Sequence, residues 1–358
     1  MLTRLEIRDF RCFGEAQLEL SPGITVFEGA NGQGKTSLLE AVFFLGLLRS
    51  FRTGDLRLLK RWKCPSFLLR GRLDDGQEIA VEQGAERRLR AAGQAVGRSS
   101  DFVRYLGPVA LSPEDIRLAK GPAAERRQFL DILGSQLSAA TLGALRDYDK
   151  ALRQRNQLLR LQAPDAQLRP WEGLLARSGA AVMQARAAFF PDLRAAFLDA
   201  AAALFPAGTP LDLKLVPAVS AAPGGEEESL ILALEEARPR DRELGSTAAG
   251  PHRDELAILL QGRSLSSHGS EGQCRLAAIA LRLAAAELLI SPEAPGPILL
   301  VDDVTGELDS QRRDVFLQRL SRFPQVFIAC TECPAILRDG GARIVQVEGG
   351  RLVQNAGD

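Results

Sequence analysis

The octapeptide Gly29-Ala30-Asn31-Gly32-Gln33-Gly34-Lys35-Thr36 constrains this chain more than any other stretch. It fits G-x-x-x-x-G-K-[ST], in which glycines let backbone N–H groups surround phosphate oxygens, Lys35 adds positive charge and Thr36 offers a hydroxyl to magnesium. The flanks supply the context the motif needs. Ile24-Thr25-Val26-Phe27 is β-branched and aromatic, as a strand is, and Ser37-Leu38-Leu39-Glu40-Ala41-Val42-Phe43-Phe44-Leu45 reads as a buried helix whose N-terminus faces the phosphates. The expectation is an α/β fold that holds ATP and Mg²⁺.

At 358 residues, 46% of them hydrophobic, the chain has enough material for a large core and two or three domains. Its first residues lack the apolar run of a signal peptide and no window is long enough to span a bilayer, so the expected place is the cytoplasm, with no membrane partner. Five scattered cysteines favour reduced thiols. Cys330-Thr331-Glu332-Cys333 follows a strand-like run and has no second C-x-x-C, which argues against redox or zinc chemistry.

Formal net charge is zero, but charge is unevenly placed. Between Arg49 and Arg72, Arg49, Arg52, Arg57, Lys60, Arg61, Lys63, Arg70 and Arg72 face the single acid Asp55, with Phe51, Trp62 and Phe67 interleaved. A basic, aromatic segment beside a phosphate loop is a candidate DNA surface, and Arg52, Arg57, Lys60, Arg61 and Lys63 are its expected contacts.

Alternation at Leu5 and Ile7, then at Ala16, Leu18 and Leu20, predicts half-buried N-terminal strands, and Asp75-Gly76 predicts a hairpin turn. From about Ser112 to Pro206 the pattern turns helical, with Leu145, Tyr148 and Leu152 on one face and Arg146, Lys150 and Arg153 on another. Pro223-Gly224-Gly225-Glu226-Glu227-Glu228 reads as a loop, and a hairpin at Gly349-Gly350 closes the chain. The ATPase domain is therefore expected in two pieces, 1–110 and 246–358, around an inserted helical domain at 111–245.

The apolar run Pro297-Ile298-Leu299-Leu300-Val301 delivers Asp302 and Asp303 at the edge where α/β sheets place ligands. Asp302 is the expected magnesium ligand, with Thr36, and Asp303 the group that orients or deprotonates the attacking water. Upstream, Ser270-Glu271-Gly272-Gln273 precedes a strongly helical sequence, so a second helix N-terminus is aimed at an anion. One triphosphate does not need two such ends, which suggests that this one completes the site of another subunit.

This order of phosphate loop, helical insertion, S-x-G-Q signature, two-acid strand and Glu307-Leu308-Asp309 resembles that of ABC-type ATPases of the SMC class. More narrowly, Leu5–Arg11, Ser50-Phe51-Arg52-Thr53, Leu111–Asp115, Glu125–Asp131, Gln154-Arg155-Asn156 and Gly250-Pro251-His252-Arg253-Asp254 are similar to blocks of the RecF family, over essentially the whole chain. The resemblance implies an ABC-type head with N-terminal hairpins and a split core. It assigns Gly29 to Thr36 to phosphate and metal, Ser270, Gly272 and Gln273 to the partner subunit's γ-phosphate, and Lys35, Ser270 and Asp303 to catalysis, with Arg11 near the nucleotide. It further implies a weak DNA-dependent ATPase, an ATP-dependent homodimer on double-stranded or gapped DNA, and the partners RecR and RecO in loading RecA. Gly306, where the family more often has serine, and Thr331, where many ABC proteins carry a switch histidine, depart from that pattern. The alternative within the class is another short-armed ABC-type DNA-repair ATPase; a transporter subunit would carry its signature much nearer the phosphate loop, and a small-molecule kinase would leave the signature without a role.

Overall fold

The computed structural model describes residues 1–291, 296–303 and 308–353. The chain forms two compact units, one of residues 1–115 with 285–358 and one of residues 116–284.

The first unit holds two sheets. One is antiparallel and built from β1 (Leu2–Phe10), β2 (Phe13–Glu19), β4 (Phe67–Leu73), β5 (Glu78–Gln83), β6 (Arg87–Ala91) and β7 (Gln94–Ala95), in the order β2-β1-β4-β5-β6-β7. The other contains β3 (Gly23–Glu28), β8 (Pro108–Leu111), β12 (Ile298–Asp302), β13 (Gln325–Cys330), β14 (Arg343–Glu348) and β15 (Arg351–Val353), in the order β15-β14-β3-β13-β12-β8. It is parallel except for the terminal β14–β15 hairpin. Helix α1 (Lys35–Leu47) packs against strands of both sheets. That explains its sequence: every residue but Thr36 is buried, and a helix covered on all sides carries no polar stripe. Buried Gln325 pins the sheets together, accepting from Leu2 N at 3.0 Å and donating to the Leu2 carbonyl at 2.7 Å. Short α2 (Ser99–Phe102), α10 (Ser310–Leu320) and α11 (Ala335–Asp339) complete this unit.

The second unit contains α3 (Ile116–Lys120), α4 (Ala123–Leu137), α5 (Ala139–Arg160), α6 (Asp165–Leu204), α7 (Glu226–Leu244), α8 (Leu265–His268) and most of α9 (Glu271–Leu288). Tyr148, Ala151, Leu175, Ala176, Ala180, Leu230 and Leu234 form a core among α5, α6 and α7. Arg146, Lys150 and Arg153 are exposed on α5, and Arg153 pairs with Asp149 at 2.7 Å.

Two features differ from the sequence reading. Glu226, Glu227 and Glu228 form the first turn of α7, where three carboxylates face the positive helix end, instead of a loop. The insertion is also not purely helical: β9 (Leu211–Val216), β10 (Glu255–Leu260) and β11 (Arg263–Ser264) make a three-stranded antiparallel sheet. Pairing of β10 with β9 ties residues after 245 to the helices, so the unit extends to Ala284, beyond the boundary drawn at 245.

Candidate nucleotide site and signature turn

The phosphate loop leaves the C-terminal end of β3 and enters α1, as an anion cradle requires. Gly34 caps the helix at φ 111°, a left-handed conformation open to glycine, and an added Cβ would lie 2.7 Å from Cys12 Sγ. At Gly29 the constraint is close approach: a Cβ would collide with the Val347 carbonyl. Lys35 is folded over the loop, its ammonium donating to the carbonyls of Gly29 at 2.6 Å and Ala30 at 2.8 Å. The C-terminal hairpin braces the loop, with Gly349 N donating to Gln33 Oε1 at 2.6 Å and Gly350 N to the Gln33 carbonyl at 3.0 Å.

Thr36 joins the two halves of the site by donating from its hydroxyl to Asp302 Oδ1 at 2.7 Å. Burial pushes the Asp302 carboxyl up from its ordinary range, while the Thr36 bond and the Arg52 charge pull it down. A partly buried carboxylate beside a threonine hydroxyl fits Mg²⁺, which takes one or two protein oxygens and fills its other positions with water and substrate phosphate. Asp303 turns away from the strand at φ 51°, held by its N–H on the Ala329 carbonyl at 3.1 Å, and its side chain is exposed. It borders two hollows. One, of about 440 Å³, contains Asn31, Gly32, Gly34, Lys35, Thr36 and Asp302; the other, of about 510 Å³, contains Thr331, Arg313 and Asp314. Cys330 and Cys333 are buried at the rim of the second hollow, and burial raises both thiols, Cys330 to about 12, so neither is held as a reactive thiolate.

The outer wall of the nucleotide cleft is organised by a residue the motif analysis missed. Glu40, fully buried in α1, accepts a fork from Arg11 (Nε and Nη2, 2.7 Å each), a 2.5 Å hydrogen bond from Ser50, and a looser pair with Arg52 at 3.8 Å. A lone acid in an otherwise apolar helix was the available signal, since a buried carboxylate demands partners. Arg11 also donates to the Leu58 carbonyl at 2.9 Å, and Arg11, Cys12, Arg52, Leu58 and Lys60 all line this cleft. Two of the expected DNA contacts, Arg52 and Lys60, are thus placed beside the phosphate loop instead of on an outer face. Arg57 is exposed and forks onto Asp55, while Arg61 and Lys63 are exposed beyond it. Arg70 and Arg72 are paired across strands with Glu6 and Glu78.

In the second unit, Ser270 and Gln273 form a reciprocal cap at the start of α9. Ser270 N donates to Gln273 Oε1 at 2.9 Å, and Gln273 N donates to Ser270 Oγ at 3.2 Å. Ser270, Glu271 and Gly272 are exposed, and a Cβ on Gly272 would meet nothing within 4 Å. The signature is therefore a self-capped helix start at an exposed turn. Glu307, Thr305 and Gly306 lie outside the described residues; Asp309 caps α10 by accepting from Arg312 N at 2.9 Å.

A model of an AAA domain matches residues 4–53. The DNA replication and repair protein RecF of Acidothermus cellulolyticus is 38% identical over 330 residues, covering 87% of this chain and 88% of that protein. The chain belongs to the RecF family. The RecF of Kineococcus radiotolerans is 32% identical over 99% of both chains. A solved structure of the recombination mediator protein RecF with ATP, in the RecFOR pathway, superposes with a TM-score of 0.89 at 26% identity, over 99% of this chain and 97% of that one. An Smc head domain from Pyrococcus furiosus, at 15% identity and a TM-score of 0.55 over 98% and 95%, shares the fold. The architecture is that of an ABC-type ATPase head with an inserted helical region.

Residues from the stretches Glu125–Asp131, Gln154-Arg155-Asn156 and Gly250–Asp254 are bonded into networks inside the second unit. Arg155, fully buried, donates to Asp241 at 2.6 Å, Thr247 at 2.8 Å and Glu172 at 3.0 Å. Arg186 binds Asp254 at 2.6 Å and Asp131 at 2.7 Å, and Asn156 accepts from Thr247. His252 Nε2–H donates to the Thr247 carbonyl at 3.0 Å, which leaves Nδ1 to accept from the Tyr148 hydroxyl at 2.5 Å. Burial lowers the His252 pKa to about 4, outweighing the Thr247 bond, so this imidazole is neutral near pH 7.

Proposed function

We propose that this chain is an ATP-dependent DNA-binding protein of recombinational DNA repair, with a weak DNA-dependent ATPase that serves as a timer. The observation that carries the reading is the 2.7 Å Thr36–Asp302 hydrogen bond at the head of the phosphate-loop cleft, which brings the two motifs of a Mg²⁺–triphosphate site into contact. Lys35 and the amides of residues 29–36 would hold the phosphates, Arg11 would support the cleft wall, and Thr36 and Asp302 would hold Mg²⁺, which when bound offsets the negative charge of the phosphate oxygens. Asp303, exposed at the same edge, is suited to orient the attacking water.

The exposed start of α9 supports a shared site, in which Ser270, Gly272 and Gln273 of one subunit meet the γ-phosphate held by another. Two sandwiched ATPs, each adding charge-assisted hydrogen bonds of roughly 1.5–3 kcal/mol, would strengthen a homodimer by about a hundred- to ten-thousandfold. Loss of the γ-phosphate removes that bridge. The dimer would hold duplex or gapped DNA through Arg57, Arg61 and Lys63, and membership of the RecF family supports action with RecR and RecO in loading RecA.

The deciding experiment is Ser270→Arg, followed by light scattering with and without ATP. ATP binding should persist while ATP-dependent dimerisation is lost; a dimer that still forms rejects the shared site.

A further inference from the structure

The three aromatics of the basic segment have different fates. Phe67 is buried, with its ring 5.0 Å from Phe10 and 5.2 Å from Phe44, and Phe51 packs edge-on to Phe43 at 5.3 Å. Trp62 is 85% exposed. An indole left in water forgoes the burial that makes tryptophan favourable in a fold, so its position needs a reason beyond packing.

The backbone presents it deliberately. Cys64 N donates to the Arg61 carbonyl at 3.0 Å, closing a turn whose two central residues are Trp62 and Lys63. Lys63 has φ 67°, a left-handed conformation costly for a residue with a side chain, and no glycine relieves it. The turn is anchored firmly. Arg61 N donates to the Asp9 carbonyl at 2.8 Å, Lys60 bridges Phe10, and the Arg61 guanidinium lies against Gly14, where a Cβ would come within 2.5 Å. The indole is therefore carried into solvent on a turn whose backbone is tied to Asp9 and Phe10.

Its surroundings select the partner. From Asp55 to Lys63 there are four cations and one carboxylate, and Asp55 is already forked by Arg57. Arg61 faces Asp9 only at 3.8 Å, and among the described residues Lys63 makes no ion pair. An apolar ring framed by guanidinium and ammonium groups matches a nucleic acid whose backbone meets the cations and whose unpaired base covers the ring. Along a duplex every internal base is stacked on both faces, and the terminal pairs, open on one face each, are common to blunt and gapped duplexes.

We infer that Trp62 is a base-stacking residue that lets the Asp55–Lys63 turn distinguish DNA with unpaired bases from blunt duplex. This rests on the DNA-binding reading and adds to it the residue that would contact an unpaired base.

The chain has two tryptophans, Trp62 and Trp171, so Trp62→Phe leaves Trp171 as the sole tryptophan emitter, and the difference from wild type under tryptophan-selective excitation isolates Trp62. Full-length protein is titrated, with ATP and Mg²⁺, against oligothymidylate, a gapped duplex and a blunt duplex of equal length. Trp62 emission should be quenched by the first two and not by the third. Trp62→Ala should weaken the gapped duplex about five- to a hundredfold, the range for one lost base stack, and change the blunt duplex by less than about twofold. Trp62→Phe should keep most of the affinity. Unchanged emission on gapped DNA, or equal losses on gapped and blunt DNA, overturns the inference while leaving salt-dependent DNA binding intact. If none of the three probes binds, the inference and the DNA reading both fail.

Discussion

The phosphate-loop cleft and the Arg155–His252 network are both assembled from charged and polar side chains distant in sequence, yet they are built on opposite physical plans. At the cleft, polar groups have few partners: among the described residues Lys35 binds only carbonyls of its own loop, Asp303 is exposed, and Asp303 holds a left-handed φ of 51° that is costly for a residue with a side chain. In the second unit, Arg155, Asp241 and Arg186 are buried and bonded, and both His252 nitrogens are engaged. Open valence marks the first as a place where a ligand arrives, and saturation marks the second as architecture. A motif in sequence does not carry that distinction, because histidine, arginine and aspartate are also the residues of catalysis.

The largest effect that would test the contrast is at Arg155. Arg155→Met leaves the Asp241 carboxylate buried without its cation and removes one of the two arginines that bind Glu172. Breaking a buried pair in this way costs about 3–5 kcal/mol, so urea unfolding followed by circular dichroism should shift by that amount. A shift under about 1 kcal/mol would mean that the network is dispensable to the fold, and its saturation would then need another explanation.

The next effect is a pH slope from His252. Its folded pKa is about 4 against an unfolded 6.5, so between those values the unfolded chain binds more protons, and stability falls as pH falls through that window. The full loss below pH 4 is up to about 3 kcal/mol. His252→Gln, which does not titrate, should flatten the stability profile between pH 6.5 and 4; an unchanged slope would assign it to other groups.

How much of this was legible in the sequence follows from the same contrast. The phosphate loop, the two-acid strand and the helix after Ser270 were readable because each is local: spacing within a dozen residues fixes the chemistry. The N-terminal hairpins were readable from alternation at Leu5, Ile7 and Leu18. The sheet of β9, β10 and β11 was not, since β9 and β10 are separated by a helix and their pairing is decided by tertiary packing. The charge run from Arg49 to Arg72 was visible, but its division was not. Arg52 turns to Glu40, Arg70 and Arg72 are neutralised on neighbouring strands, and only the stretch around Trp62 stays open. Partners distant in sequence decide which charges remain available.

Glu40 is the position where the two plans meet, and it gives the finest test. By burial it belongs with Arg155; by location it belongs to the cleft, four residues along α1 from Thr36 and gripping Arg11 and Ser50. Glu40→Gln keeps the volume and one acceptor but removes the charge that balances two arginines. Stability should fall by about 1–2 kcal/mol, as one charge-assisted bond weakens. Affinity for a triphosphate should move the other way. Arg11 and Arg52 would then stand at the cleft uncompensated, so fluorescent ATP-analogue binding should tighten by about two- to fivefold at low ionic strength and lose that gain near 0.5 M salt, where charges are screened within a few ångströms. If affinity instead drops together with stability, Glu40 supports the cleft wall as Arg155 supports the helices, and the division between open and saturated regions runs through the nucleotide site itself.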